Sequence, residues 1–300
     1  MSDVPPAIDA ALARRIVDRQ FPQWSDLPIT GVAVDGWDNR TFRLGDELTV
    51  RLPSGPWYAR QVEKEQRWLP VLAPQVPLPI PTPVAQGAPD DEFPYPWSVY
   101  RWLDGDLAGD APIADMPRFA SDLAGFLRAL GRVDATDGPG PGEHNFHRGG
   151  PLTTYEQETH DAIAALGAEI PRDAVERVWE DATATTWDRD PVWFHGDVAV
   201  DNLLVRDGRL GAILDFGSSG VGDPACDVVI AWTFLSGEAR DRFRLALGAD
   251  AGTWSRGRGW ALWKALITLV GSLERDSLRA ALPRRDIREV LADHQRDCRS

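Results

Sequence analysis

Residues 193–205 read WFHGDVAVDNLLV, and residues 212–217 read AILDFG. The first stretch places a carboxylate, Asp197, five residues before the amide of Asn202, and the second adds Asp215, eighteen residues after Asp197. A D-x-x-x-x-N loop followed by D-F-G matches the catalytic-loop and metal-binding motifs of kinase-type phosphoryl transfer. Two matched motifs at a plausible separation are far more specific than a lone H-G-D, and they predict a site of this kind.

Each motif residue has an expected role in that chemistry. Asp197 is the expected catalytic base, which accepts or orients the proton of an attacking hydroxyl. Asn202 and Asp215 are the expected magnesium ligands, because hard cations select carboxylate and carbonyl oxygens. Asp201, directly before Asn202, either adds charge near the site or faces water.

The composition is that of an ordinary soluble protein, with 43% apolar and 26% charged residues in a chain of 300. The balance is acidic, since 32 Lys and Arg against 46 Asp and Glu give a net charge of −14. A surface of that sign repels nucleic acid and anionic membranes and attracts cations. The negative charge either serves solubility alone or favours a cationic substrate.

Targeting signals and cysteine frameworks are not apparent. Cys226 and Cys298 are too few for a disulfide framework or a zinc cluster. The first residues, MSDVPPAIDAALARR, lack an apolar signal core, and no stretch reaches the length of a bilayer span. We therefore expect a cytoplasmic monomer or dimer that binds neither nucleic acid nor membrane.

The first third of the chain predicts a small sheet with flanking helices. Apolar residues recur at helical spacing over 8–20 and again over 57–72, whereas 29–53 alternates apolar and polar residues with turn signals between. The alternating block predicts three antiparallel strands. The proline-rich stretch 74–96 is expected to be irregular and to lead into a strand at 97–103.

Beyond Asp104 the pattern becomes mainly helical. Short strands are expected at 202–208 and 209–216, flanking the two motif loops. Helices are expected at 117–131, 154–167, 172–187, 224–235, 238–247, 257–273 and 285–295. The sequence thus predicts an α+β fold with an antiparallel-sheet N-terminal lobe over 1–103, including the hinge strand, and a larger helical lobe over 104–300.

With these motifs, the chain resembles the aminoglycoside phosphotransferase family, a group of small-molecule kinases with a protein-kinase-like fold. The resemblance rests on H-G-D at 195–197, N-L-L-V at 202–205, D-F-G at 215–217 and G-D-P-A-C-D at 222–227, and it extends over nearly the whole chain. It implies a bilobal kinase fold, ATP or GTP with Mg²⁺, and transfer of the γ-phosphate to a hydroxyl. It also implies that His195 is a packed scaffold residue, and we interpret Asp223 and Asp227 as structural.

The resemblance places a phosphate-binding cation on the strand LTVRL. Kinases carry a lysine there, and this chain carries Arg51, whose planar fork can bind phosphate but is not an ammonium point charge. Its carboxylate partner is expected on the next helix. Glu65 is preferred to Glu63 because it follows the apolar stripe of Val62 and Leu69.

Two further nucleotide contacts are implied. The turn over 36–42 stands where the family has a G-x-x-N loop, whose backbone amides and Asn39 would face the phosphates. The backbone of Arg101 and Leu103 would read the adenine edge at the hinge strand. Trp102 either lines that pocket or belongs to the core.

The acceptor remains open at this point. An aminoglycoside is the first expectation, with a macrolide, choline or an amino-sugar as competitors. Such kinases build acceptor pockets from helical residues, here in the neighbourhood of Tyr155, Glu156, Glu158, Trp260 and Trp263. A protein of a different class, a nucleotide-binding pseudokinase, is an alternative because Arg51 replaces the usual lysine. A magnesium phosphohydrolase is a third alternative, but it would not explain Arg51, Glu65 and the hinge pattern.

Overall fold

A computed structural model describes residues 8–32, 38–273 and 280–298. The chain packs into two compact units: unit 1 comprises Met1–Gly105 and Ala212–Ser218, and unit 2 comprises Asp106–Gly211 and Ser219–Ser300. The sequence places the lobe boundary after Leu103 and assigns all later residues to the second lobe. The segment Ala212–Ser218 instead packs in unit 1, where the N–H of Ile213 donates to the carbonyl of Pro79 at 3.0 Å.

Unit 1 is built on an antiparallel sheet whose strands, in the described residues, number five and run in the order β1–β2–β3–β5–β4. Its elements are α1 (Ala10–Gln20), β1 (Ile29–Gly31), β2 (Asn39–Leu44), β3 (Leu48–Pro53), α2 (Pro56–Leu72), β4 (Pro83–Gly87) and β5 (Trp97–Arg101).

The alternation of the strands explains how unit 1 forms its core. Phe42 and Leu44 of β2 and Val50 of β3 point inward and pack with Leu12 and Ile16 of α1. The carboxylate of Asp9 caps α1 by accepting the N–H of Leu12 at 2.8 Å.

Unit 2 is mainly helical in the part that the structure describes. Its helices are α3 (Met116–Leu130), α4 (Glu156–Leu166), α5 (Arg172–Thr183), α6 (Ile230–Thr233), α7 (Gly237–Leu247), α8 (Ala251–Leu273) and α9 (Ala281–Asp297). Its strands are β6 (Asp106–Leu107), β7 (Val192–Phe194), β8 (Leu203–Arg206), β10 (Gly220–Gly222) and the first residues of β9 (Arg209–Ile213).

The helix α8 is the central element of unit 2. Its buried side chains, Trp254, Trp260, Leu262 and Leu266 among them, lie on several sides of the helix, as expected for a core helix. Among the described residues, no helix combines the length and apolar character that a membrane span needs.

Two expectations about local structure are wrong, and one strand pair was not predicted. The stretch 74–96 is not wholly irregular, because β4 pairs with β5 at the sheet edge, where its first residue, Pro83, is tolerated. The pair β7–β10 went unpredicted because strands of three residues are too short to show a period. The helix expected at 224–235 is a 3₁₀ segment, Pro224–Val229, followed by the single turn of α6.

The pairing of β4 with β5 leaves no room for a side chain at Gly87. A Cβ atom on Gly87 would lie 1.9 Å from the indole of the buried Trp97, its cross-strand partner. We predict that Gly87→Ala lowers the free energy of unfolding by about 1–3 kcal/mol through overpacking. Urea unfolding followed by circular dichroism measures this loss.

The matched control is Gly31→Ala in β1, where a Cβ meets no atom within 4 Å. It should change the free energy of unfolding by less than about 1 kcal/mol. An equal effect of the two substitutions would contradict the packing assigned to Gly87.

Candidate active site

The loop after β7 is held by a buried carboxylate. Asp227 accepts the backbone N–H of His195 at 2.8 Å and that of Gly196 at 2.7 Å. Burial raises the pKa of Asp227, although His195 and the two N–H donors act in the opposite direction. His195 is fully buried, and its Nδ1 accepts the N–H of Asp197 at 3.2 Å. Both residues therefore brace the loop, as expected of structural residues.

The side chain of Asp197 is fixed at both oxygens. The Asn202 amide donates to the Asp197 carbonyl at 2.9 Å and to its Oδ2 at 3.2 Å, while Lys264 Nζ lies 2.9 Å from Oδ1. Burial acts to raise the pKa of Asp197, but Lys264, His195 and Arg148 outweigh it and lower the pKa below its ordinary value. With 37% of its side chain exposed, this ionised carboxylate remains accessible.

Two neighbouring acids differ from Asp197 in their surroundings. Asp201 is exposed and faces water, as one of its two expected roles requires. Asp223 is buried, accepts the N–H of Ala225 and pairs with Arg256 at 2.6 Å. It links the segment after β10 to α8, as a structural residue should.

In unit 1, a guanidinium lies between two acids. Arg51 of β3 places Nη2 3.3 Å from Oδ1 of Asp215 and Nη1 3.7 Å from Oε1 of Glu65. The Tyr100 hydroxyl donates to the other oxygen of Glu65. Burial raises the pKa of Glu65, and Arg51 opposes that rise. Glu65 thus faces Arg51 from α2, whereas Glu63 is exposed.

The D-F-G segment is constrained by its own backbone. Asp215 adopts a left-handed conformation with φ of 59°, which is uncommon for a non-glycine residue and recurs at functional sites. Its Oδ1 accepts the N–H of Gly217 at 3.2 Å, and Lys64 donates to the Gly217 carbonyl at 2.6 Å. Burial lowers the pKa of Lys64 to about 8, against the effect of Glu65 and Asp215.

For the other residues predicted to bind nucleotide, the structure gives their positions but does not test their roles. Asn39 is buried as the first residue of β2, while Gly36 and Trp37 of the same turn lie outside the described residues. The Arg101 N–H donates to Thr82, and β5 ends there, before Leu103.

Trp102 is not a core residue. It is half-buried, its indole N–H donates to Asp104 at 2.9 Å, and Arg43 lies over its ring at 4.5 Å.

Sequence reasoning missed the two ammonium groups. Lys64 and Lys264 are the two lysines of the chain, and each contacts a motif loop, Lys64 at Gly217 and Lys264 at Asp197. A signal for them existed: the other 30 of the 32 Lys and Arg residues are arginine, so a retained lysine is unusual. Their contacts span 153 and 67 residues, which no local pattern reveals.

The donor chemistry of the two motif residues fits a hard cation. The Asn202 amide nitrogen is committed to Asp197, and its carbonyl oxygen makes no hydrogen bond within the described part of the chain. The Oδ2 atom of Asp215 is likewise without a hydrogen bond among the described residues. Amide and carboxylate oxygens are the ligands that magnesium selects. Groups of three or more His, Cys, Asp or Glu that could hold a metal are absent among those residues.

The fold and these two loops define a protein-kinase-like phosphotransferase. A family model described as "Phosphotransferase enzyme family" matches residues 29–264. The chain therefore belongs to the phosphotransferase enzyme family. The predicted family, kinase-like fold and enzyme class are confirmed.

Solved structures share the fold. The GDP and kanamycin complex of APH(2")-IIia has a TM-score of 0.75 at 21% identity, covering 94% of this chain and 98% of that one. A macrolide 2'-phosphotransferase type I has a TM-score of 0.62 at 20% identity, covering 96% and 99%.

A curated relative, the aminoglycoside 3'-phosphotransferase of Escherichia coli, is 39% identical over 46 residues. That match covers 15% of this chain and 17% of the relative's length.

The two N–H groups on Asp227 generate a prediction. In Asp227→Asn, one amide oxygen can satisfy one N–H, while the amide nitrogen faces the other. We expect a loss of about 1–3 kcal/mol in the free energy of unfolding and a fall in phosphoryl transfer of about tenfold or more. Urea unfolding and radiolabelled phosphate transfer measure the two effects.

Asp188→Asn, on the exposed surface, is the control and should change neither quantity appreciably. Wild-type stability and transfer in Asp227→Asn would show that the loop does not depend on this carboxylate.

Proposed function

We propose that this chain is a nucleotide- and magnesium-dependent kinase that transfers a γ-phosphate to a hydroxyl group of a small molecule. The observation that carries the proposal is the state of Asp197, an ionised and accessible carboxylate oriented by Asn202. A base for hydroxyl attack needs this combination of correct protonation state and fixed geometry.

The proposed step is an in-line displacement. The acceptor oxygen forms a bond to the γ-phosphorus, the bond from that phosphorus to the bridging oxygen of the nucleoside diphosphate breaks, and the hydroxyl proton passes to Asp197. Positioning matters more than basicity in this chemistry, which suits a carboxylate whose pKa is below its ordinary value.

The nucleotide side of the proposal rests on Arg51. Its guanidinium, held beside Glu65 and Asp215, is proposed to bind nucleotide phosphates bidentately. Asn39 and the backbone of Arg101 and Leu103 complete the proposed nucleotide contacts. Relatives of the same fold have been solved with GDP, ADP and ATP, which supports a nucleotide without choosing the base.

Asn202 of unit 2 and Asp215 of unit 1 are each proposed as a magnesium ligand, through an oxygen that no hydrogen bond occupies among the described residues. When bound, magnesium would neutralise charge on the transferred phosphate. Lys64 contributes indirectly, because its bond to Gly217 positions the backbone next to Asp215.

Two acceptor classes have support from relatives. Solved structures of the fold include complexes with kanamycin, streptomycin and gentamicin, and others are macrolide 2'-phosphotransferases. These names fit the expectation of an aminoglycoside, with a macrolide, choline or amino-sugar as alternatives. A pseudokinase is the competitor from another class, since Arg51 replaces the usual lysine, but intact Asp197, Asn202 and Asp215 argue against it.

The role of Asp197 is tested with Asp197→Asn. Transfer of radiolabelled γ-phosphate to a panel of hydroxyl compounds should fall by at least about 100-fold, because general base assistance is worth about 10²–10⁴. Nucleotide affinity, measured by calorimetry, should change by less than about threefold. The neighbouring exposed acid supplies the control, Asp201→Asn, which should transfer normally. A large loss of nucleotide affinity in Asp197→Asn would contradict the assigned role.

The role of Asp215 is tested with Asp215→Asn in a magnesium titration. Loss of one carboxylate ligand should abolish magnesium-dependent turnover or shift the half-saturating magnesium concentration upward by about tenfold or more. The control is Asp207→Asn, which changes an exposed acid with a similar left-handed φ of 52°. An unchanged magnesium dependence in Asp215→Asn would remove it from the metal site.

A further inference from the structure

A narrow cleft in unit 2 opens at the carboxylate of Asp197. Its walls include Arg148, Asp197, Trp260, Trp263 and Lys264. The last three lie on one face of α8, at spacings of three and four residues. An acceptor whose hydroxyl reaches Asp197 through this cleft would contact these side chains.

The charge of this cleft is opposite to that of the whole chain. Among the described residues that line it, Arg148 and Lys264 are cations and Asp197 is the one acid, although the net charge of the chain is −14. Glu158 approaches the cleft only indirectly, since it accepts the indole N–H of Trp263 at 2.6 Å and does not itself line the walls. The walls themselves therefore present two cations and one acid to a ligand, with Asp286 close enough to Lys264 to interact with it.

Arg148 retains an unused hydrogen-bond donor. Its Nε donates to the Gly196 carbonyl at 3.2 Å, and its guanidinium lies 5.0 and 4.9 Å from the ring centres of Trp260 and Trp263. Its Nη1 is buried without a hydrogen-bond partner. The aromatic faces attract the cation but provide no acceptor in the guanidinium plane, and the Tyr155 side chain, which also interacts with Arg148, leaves Nη1 without a partner. A buried charged donor without an acceptor is costly, and a ligand oxygen would satisfy it.

The backbone next to Arg148 fixes the position of this residue. The next residue, Gly149, has a φ of +79°, and a Cβ there would lie 2.2 Å from the ring of Phe194. Its carbonyl accepts the N–H of Asp223 at 2.9 Å. The chain is thereby held against the end of β7, with Arg148 beside Gly196 and the catalytic loop.

We infer that the acceptor of this kinase carries an acidic group, a carboxylate or a phosphate, close to the hydroxyl that is phosphorylated, and that Lys264 and Arg148 bind that group. This inference rests on the proposed function and specifies its substrate. A polycationic acceptor would set ammonium groups against two fixed cations, whereas an acidic one would neutralise them. Because Lys264 also touches Asp197, binding the acidic group there would bring the hydroxyl to the base.

The first test compares acceptors that share a skeleton and differ in charge. Glucuronate, glucose and glucosamine form one series, and glycerate, glycerol and 2-amino-1,3-propanediol form another. Radiolabelled phosphate transfer should be at least about tenfold more efficient, as kcat/KM, with the acid of a series than with its neutral and cationic members. Equal or better transfer to the amines overturns the inference while leaving the proposed function intact.

The second test measures the chemical modification of lysine, which is simple to follow because the sequence has two lysines. Acylation with acetic anhydride, followed by mass spectrometry, reports on two lysine side chains, Lys264 and Lys64. Glucuronate should slow acylation of Lys264 severalfold and inorganic phosphate should do the same, whereas glucose, the uncharged reference, should not. If neither glucuronate nor phosphate protects Lys264 from acylation, the inference is overturned.

Variants separate acceptor binding from a general effect on the enzyme. Lys264→Gln and Arg148→Gln should raise KM for the acidic acceptor by about 10- to 100-fold and KM for the nucleotide by less than about threefold. The exposed Arg206→Gln is the control. A fall in kcat for every acceptor with an unchanged KM would overturn the inference and leave these cations with a role in orienting Asp197 or in contacting the transferred phosphate. Protection of Lys264 without transfer to any compound would refute the proposed function and leave an anion site.

Discussion

The hydrogen bonds from two consecutive backbone N–H groups to the buried carboxylate of Asp227 are the constraint on which the candidate site depends. The donors belong to His195 and Gly196, so the backbone direction is fixed immediately before Asp197. Burying a carboxylate raises its pKa and is costly unless donors surround it. The two N–H donors offset that cost and fix the loop that carries Asp197, so the stability of this segment and the geometry of the candidate site depend on the same bonds.

In both units, a cation lies beside the acids of the candidate site. In unit 2 an ammonium, Lys264, holds Asp197, and in unit 1 a guanidinium, Arg51, lies between Glu65 and Asp215. The exchange of the usual strand lysine for arginine keeps a charge but spreads it over a plane with several donors. In the chemistry we propose, the two acids of unit 1 orient the Arg51 guanidinium before a nucleotide binds. Binding then costs less conformational entropy, because this side chain is already ordered.

Much of the fold followed from the sequence because its signals are periodic. The helices α1, α2 and α3 and the strands β2 and β3 repeat apolar residues at their own period, and the stripe of Val62 and Leu69 placed Glu65 rather than Glu63 on the inner face of α2. The misses have physical causes. Strands such as β7 and β10 are three residues long, and β4 lies among prolines. The pairing of Lys264 with Asp197 crosses 67 residues and depends on packing of α8, which no spacing encodes.

The central claim is that the ionised carboxylate of Asp197 delivers a hydroxyl to a nucleotide γ-phosphate. The most direct measurement is a screen of hydroxyl compounds with the full chain, magnesium and ATP or GTP, read by the mass of each compound and then by phosphorus NMR of any product. We expect a compound that gains a single phosphate as an oxygen ester. Nucleotide binding with no phosphate transferred to any compound or to water would contradict it and indicate a binding module.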